Sequence, residues 1–83
     1  MSLSGRTIGL VEDDEIMGGS IVQRLSLEGI SVKWWRSGRE AAASIGLVPL
    51  QAVICDIRLP DISGEDLFRE TARCADLPPF MFI

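Results

Sequence analysis

The amino-acid sequence predicts an α/β protein in which a parallel sheet has helices on both faces. Short apolar segments rich in β-branched residues alternate with segments of helical periodicity, in the order β-α-β-α-β-α-β, and short loops join them. The 83 residues are 47% hydrophobic and 24% charged, which excludes intrinsic disorder and suits one domain with a modest core. We therefore treat residues 1–83 as one domain.

The first half of the chain begins with a predicted strand over Thr7–Val11, an apolar run that ends at a series of acidic residues. A helix is predicted over Glu15–Glu28, where apolar residues recur at helical spacing and Met17 is expected to fill the core. Gly29 is expected to end this helix, because glycine adopts the left-handed conformation common after a helix C-terminus.

The second strand is predicted over Ile30–Trp35 from its alternation of apolar and polar residues. This alternation places Trp34 inside and Trp35 outside, as a surface or interface residue, with packing as the expected role of both. Ser37 is a suitable N-cap for a short alanine-rich helix over Gly38–Ile45.

The second half of the chain contains the clearest predicted strand, Gln51–Ile57, which is apolar almost throughout. A turn over Arg58–Ser63 follows, and Ser63 is the expected N-cap of a helix over Gly64–Arg73. After a proline-containing linker, Phe80–Ile83 is predicted to form a fourth strand.

The charge and composition exclude several classes of function. A net charge of −4 provides no basic footprint for nucleic acid and disfavours an anionic membrane surface. The chain has no histidine, which excludes catalysis by a histidine of this domain and the usual zinc sites. Cys55 and Cys74 form no disulfide framework, and Cys55 is expected to be a small core residue. Without an apolar span or a signal peptide, we expect a cytoplasmic protein with reduced thiols.

Three carboxylates follow two of the predicted strands. Glu12 and Asp13 come directly after the first strand, and Asp56 lies at the end of the third. In an open α/β sheet, ligands bind outside the carboxyl ends of the strands, so these side chains converge if the first and third strands are neighbours. Clustered carboxylates disfavour joint ionisation, and a hard cation such as Mg²⁺ relieves this cost. For Glu12 and Asp13 alone, a solvated loop is an equally good interpretation.

The segments Val11–Asp14 and Asp56–Gly64 resemble the receiver domain of two-component response regulators. The acid pair occurs together with the pattern D-x-x-x-P-x-x-x-G, and Asp13 and Asp56 are 43 residues apart. The resemblance covers the chain from Arg6 onward. It implies a flavodoxin-like, doubly wound (βα)5 fold with strand order 2-1-3-4-5.

The resemblance also implies a role for each residue of the acidic cluster. Asp56 would be the phosphoacceptor and a metal ligand. Asp13 would bind Mg²⁺ directly, Glu12 would bind it through water, and the backbone carbonyl of Arg58 would complete the protein ligands. A sensor histidine kinase would supply the phosphoryl group, which agrees with the absence of histidine here.

Other features of the resemblance concern the turn and the C-terminal part of the fold. Pro60 and Gly64 would shape the turn after Asp56. The family's switch Ser or Thr and its Lys would lie beyond Ile83, so we expect a receiver domain that is incomplete at its C-terminal end. The sheet would then be covered by further residues or by a partner, such as a second copy of the chain. An output domain, for example one that regulates transcription, would be separate, and this domain would not contact DNA directly.

Two other functions remain open from the sequence. One is a Mg²⁺-dependent phosphatase with Asp56 as nucleophile, although the Asp-x-Asp signature expected there is missing because position 58 is Arg. The other is a degenerate receiver that acts only as an interaction module. The presence of Glu12, Asp13 and Asp56 together argues against it.

Overall fold

The computed structural model describes residues 5–72 and 77–83 and contains a four-stranded sheet in which all paired strands are parallel. The strand order is β2-β1-β3-β4, as the resemblance implies for the first four strands. The elements of the described chain are β1 (Thr7–Val11), α1 (Glu15–Leu27), β2 (Ser31–Trp35), α2 (Gly38–Ser44), a 3-10 turn (Ile45–Leu47), β3 (Ala52–Cys55), α3 (Gly64–Thr71) and β4 (Phe80–Phe82). The predicted α/β class and element order are confirmed.

Several predicted elements extend one or two residues beyond the observed ones. Ile30 does not belong to β2, since its N–H donates to the Leu25 carbonyl and closes the end of α1. Strand β3 covers Ala52–Cys55 rather than Gln51–Ile57, because only these four residues are paired in register with β1; single hydrogen bonds of Gln51 and Asp56 to β1 flank the strand. In α2, Ile45 begins the 3-10 turn. Arg73 and Cys74 lie outside the described residues.

Local sequence signals at the helix ends are confirmed. Gly29 has φ of 76°, the left-handed conformation predicted for the residue that ends α1. The Ser37 hydroxyl accepts a hydrogen bond from the Glu40 N–H at 3.1 Å, and the Ser63 hydroxyl accepts one from the Asp66 N–H at 3.0 Å. These caps fix where α2 and α3 begin.

Helices cover both faces of the sheet, and this corrects the prediction for the two tryptophans. Trp35 is only 5% exposed and lies in the main core with residues of α2 and α3. Trp34 points to the opposite face, where it packs against Gly18 of α1 and is half-buried. The prediction that Trp35 lies on the surface was wrong, because adjacent residues of β2 point to opposite faces and a helix lies over each.

Two further core predictions had different outcomes. Cys55 is fully buried in the core cluster, as predicted. Met17 is 51% exposed, so its prediction as a core residue was wrong. In this turn of α1 the buried residue is Gly18, which faces the ring of Trp34. Met17, the preceding residue, is rotated about 100° around the helix axis from that contact.

No helix in the described part of the chain has the length and apolarity needed to cross a bilayer. The cytoplasmic location stays a prediction.

Candidate functional site

The acidic residues meet because β1 and β3 are adjacent and in register. Val11 is paired with Cys55, so Glu12 and Asp56 leave the sheet side by side. The Asp56 N–H donates to the Val11 carbonyl at 2.9 Å and continues the ladder by one residue. Carboxylate oxygens of Glu12, Asp13 and Asp56 all lie within 4.8 Å of one another. The structure thus brings together the three acidic side chains that the sequence singled out.

The three carboxylates differ in their exposure to solvent. Glu12 is 4% exposed, Asp56 is half-buried and Asp13 is exposed. Glu12 Oε1 accepts a hydrogen bond from the Asp14 N–H at 3.2 Å, and Asp56 Oδ1 accepts one from the Arg58 N–H at 3.0 Å. Within the cluster, Glu12 is therefore the buried carboxylate and Asp13 the one most open to solvent.

The electrostatics of the cluster leave its negative charge uncompensated by protein cations. Burial raises the pKa of Glu12. The Asp14 N–H opposes this shift, and the charges of Asp56 and Asp13 add to it. The two ion pairs of the described residues, Arg36–Glu15 and Arg69–Asp66, involve none of the three acids. A compact set of hard carboxylate oxygens beside solvent fits a Mg²⁺ ion, which keeps several of its waters.

The loop from Asp56 to α3 approaches the site closely. Arg58 is exposed, and its N–H donates to Asp56; its carbonyl as a metal ligand stays a prediction. Pro60 is exposed within the loop. Gly64 is buried at the start of α3, and its N–H donates to the Ile57 carbonyl at 3.1 Å. A Cβ at Gly64 would lie 2.8 Å from the Asp56 carbonyl oxygen, so only glycine permits this approach.

Two residues near the site were missed by the sequence analysis. The Asp61 carboxylate accepts hydrogen bonds from the N–H groups of Gly38 and Arg39, and so connects the β3–α3 loop to α2. The Trp34 indole Nε1–H donates to the Glu12 carbonyl at 2.8 Å. Each contact joins residues more than 20 positions apart, and no local sequence pattern indicates it.

Fold and site together define an α/β domain with an acidic centre at the carboxyl ends of two neighbouring parallel strands. The chain belongs to the response regulator receiver domain family, whose sequence model matches residues 8–83. The family resemblance is therefore confirmed, and with it the interpretation of the chain as a signalling domain in preference to a phosphatase.

Relatives of known name agree with this assignment. The chain is 35% identical over 74 residues to the transcriptional regulatory protein QseB of Escherichia coli O157:H7, a match that covers 89% of the chain and 34% of QseB. It is 39% identical over 66 residues to the transcriptional regulatory protein UhpA of Escherichia coli K12, covering 77% of the chain and 34% of UhpA. The matched region spans about a third of the length of these relatives.

Solved structures show the same fold. The non-phosphorylated HemR receiver domain of Leptospira biflexa is 34% identical, with a TM-score of 0.84 over 93% of this chain and 62% of that one. A CheY-like receiver domain of Methylobacillus flagellatus also has a TM-score of 0.84, covers 93% of this chain and 67% of that one, and at 23% identity supports the fold alone.

Proposed function

We propose that this receiver domain accepts a phosphoryl group on Asp56 and that Mg²⁺ is required for the transfer. The observation that carries the proposal is the convergence of Glu12, Asp13 and Asp56, whose carboxylate oxygens lie within 4.8 Å of one another. Asp13 and Asp56 would bind the cation directly, and Glu12 would bind it through water. The Arg58 carbonyl would complete the protein ligands.

The chemistry of the transfer is a displacement at phosphorus. A carboxylate oxygen of Asp56 forms the new O–P bond while the P–N bond of a phosphohistidine breaks, and the histidine nitrogen keeps the electron pair and takes up a proton from solvent. The hydrogen bond from the Arg58 N–H to Oδ1 holds the Asp56 carboxylate in one orientation for an in-line approach. Bound Mg²⁺ would neutralise charge on the phosphoryl oxygens.

The donor would be a sensor histidine kinase, and the signal would pass to an effector that regulates transcription, as the names of the relatives suggest. The net charge of −4 argues against direct contact of this domain with nucleic acid.

We further propose that the receiver domain is longer than these residues, because the match covers 62% of the HemR receiver chain. Alternatively, a second copy of the chain would pack against β4, where Met81 is 63% exposed.

The phosphoacceptor is tested by incubating the complete protein with acetyl phosphate and Mg²⁺, followed by intact-mass measurement. We expect a gain of one phosphoryl group that is lost in Asp56→Asn and when the metal is chelated. Asp66→Asn is the matched control, because it changes an exposed aspartate outside the acidic cluster and should still be modified. Equal modification of Asp56→Asn and the natural protein would contradict the assignment.

The metal site is tested separately by calorimetric titration with Mg²⁺. Asp13→Asn should abolish saturable binding, since it removes a carboxylate of the cluster. Asp14→Asn is the control at the adjacent position, because its side chain caps α1 and asparagine is an equally good N-cap. Loss of binding in both variants, or in neither, would show that the ligands are misassigned.

A further inference from the structure

The backbone of Glu12 is fixed on both sides by the two adjacent tryptophans of β2. Its N–H donates to the Trp35 carbonyl at 3.0 Å, and its carbonyl accepts a hydrogen bond from the Trp34 indole at 2.8 Å. The first bond continues the β1–β2 ladder, whereas the second comes from a side chain 22 residues away. A strand end that would otherwise open into a loop is therefore held in one conformation.

The Trp34 ring is itself held against α1. A Cβ at Gly18 would lie 2.6 Å from Cε2 and 2.9 Å from Cη2 of the ring, which is closer than real contacts allow. Glycine in a helix costs about 1 kcal/mol relative to alanine. At Gly18 the absence of a side chain leaves room for the indole ring, which can then reach the Glu12 carbonyl.

The guanidinium of Arg36 also contacts the ring. Its Cζ lies 4.5 Å from the centroid of Trp34, and its Nη1 is 2.6 Å from Glu15 Oε1. A cation over an indole face is attracted by the ring's quadrupole. Gly18 and Arg36 thus restrict the indole, and the ion pair to Glu15 connects this arrangement to the first turn of α1.

The position of Asp13 depends on the backbone to either side of it. Its side chain is exposed and accepts no hydrogen bond among the described residues. The preceding residue, Glu12, is held by the two tryptophans, and the following residue, Asp14, caps α1 by accepting hydrogen bonds from the Ile16 and Met17 N–H groups. The direction in which the Asp13 side chain leaves the backbone is therefore set by these two anchors.

We propose that Trp34 is a positioning residue for the cation site, and that its indole hydrogen bond orients the Glu12–Asp13 backbone so that both carboxylates face Asp56. This inference rests on the proposed function, since it concerns the affinity of the same site. Trp34 touches neither the cation nor the phosphoryl group; it acts through the Glu12 carbonyl. Groups that orient metal ligands typically contribute about tenfold or more to metal affinity.

Two adjacent glycines of α1 provide a matched test. Gly18→Ala displaces the indole, whereas a Cβ at Gly19 meets nothing within 4 Å, and both changes give the same gain in helix propensity. Calorimetric titration of the complete protein with Mg²⁺ should show affinity reduced about tenfold in Gly18→Ala and unchanged in Gly19→Ala. Trp34→Phe, which keeps an aromatic ring but removes the donor, should also lose about tenfold.

If Trp34 only contributed to packing, Trp34→Phe and Gly18→Ala would change the melting temperature but leave the Mg²⁺ affinity unchanged. Unchanged affinity in folded Trp34→Phe and Gly18→Ala would therefore overturn the inference. If neither variant folds, the indole N–H resonance of Trp34 in the natural protein decides the question. It should shift on Mg²⁺ titration more than that of Trp35, and an unmoved Trp34 signal would overturn the inference. Absence of Mg²⁺ binding in the natural protein would instead contradict the proposed function.

Discussion

The carboxylate of Asp61 accepts a hydrogen bond from the backbone N–H of Arg39 at 2.9 Å, and its other oxygen accepts one from the N–H of Gly38 at 3.0 Å. These bonds join the loop after β3 to the first turn of α2, two segments more than 20 residues apart in the chain. The Arg39 N–H lowers the pKa of Asp61, desolvation opposes this shift, and the Gly38 N–H lowers the pKa further.

Asp61→Asn should remove a contribution to stability that depends on pH. Because the folded pKa is lowered, the unfolded chain binds the proton more readily. The contribution is therefore fully present above the unfolded value of about 3.9 and is lost as pH falls through the lowered value. Urea unfolding followed by tryptophan fluorescence should show Asp61→Asn less stable than the natural protein at about pH 6, with the difference disappearing in acid.

Glu70→Gln is a suitable control for this prediction, because Glu70 is exposed and makes no hydrogen bond among the described residues. Its stability should follow that of the natural protein across the pH range. A difference between Asp61→Asn and the natural protein that persists below the lowered pKa would contradict the prediction.

Gly64→Ala should destabilise the domain, because the added Cβ would lie 2.8 Å from the Asp56 carbonyl oxygen and 3.0 Å from Ile57 Cα. Both neighbours are backbone atoms, so the helix or the loop must move. We expect a loss of about 1–3 kcal/mol in the free energy of unfolding. Gly19→Ala, with open space around its Cβ, should be neutral or more stable by up to about 1 kcal/mol. If urea unfolding showed the same change in stability for Gly64→Ala and Gly19→Ala, the prediction would be wrong.

Most of the features predicted correctly from the sequence have a local cause. The caps Ser37 and Ser63 bond to N–H groups three residues later, and Gly29 adopts a conformation that glycine favours on its own. The acidic cluster has a non-local cause, the adjacency of β1 and β3, and was predicted because the family resemblance implies that strand order. Asp56 could be located because it directly follows an apolar strand.

The errors and omissions arise from tertiary contacts. Alternation in β2 distinguishes two faces of a strand but does not show that helices cover both, so Trp35 was assigned to the surface. Met17 has the spacing of a core residue, yet in this turn of α1 it is Gly18 that faces Trp34 of the sheet. Asp61 lies in a turn whose composition is the same whether or not its carboxylate reaches α2.

The Cys55 thiol should be unreactive in the folded protein. Burial raises its pKa to about 12, with further contributions from the charges of Asp56 and Glu12. The thiolate, which is the reactive species, is therefore negligible near neutral pH, and the side chain is fully buried. Alkylation followed by peptide mapping, which separates Cys55 from Cys74, should label Cys55 only after denaturation. Rapid labelling of Cys55 under native conditions would be inconsistent with this packing.

Glu12→Gln should stabilise the metal-free domain at neutral pH. Burial raises the pKa of Glu12, so the folded state binds its proton more readily than the unfolded chain does. The contribution of Glu12 to stability is fully present below the unfolded pKa of about 4.3 and is lost as pH rises through the raised value. A glutamine side chain at this position carries no charge and avoids this loss, so the variant should be more stable than the natural protein at about pH 7 without metal.

Addition of Mg²⁺ should reverse the order of stability. A cation that binds only the folded state at ten times its dissociation constant stabilises it by about 1.4 kcal/mol, and the natural protein should gain this amount. Glu12→Gln should gain less, because it has lost one carboxylate of the cluster. Urea unfolding in chelator and in excess Mg²⁺ measures both effects.

Glu65→Gln is the control: it lies at an exposed position in the first turn of α3 and should gain as much stability from Mg²⁺ as the natural protein does. If Glu12→Gln is the less stable protein in chelator, the unneutralised charge of the acidic cluster is not the dominant cost at this site.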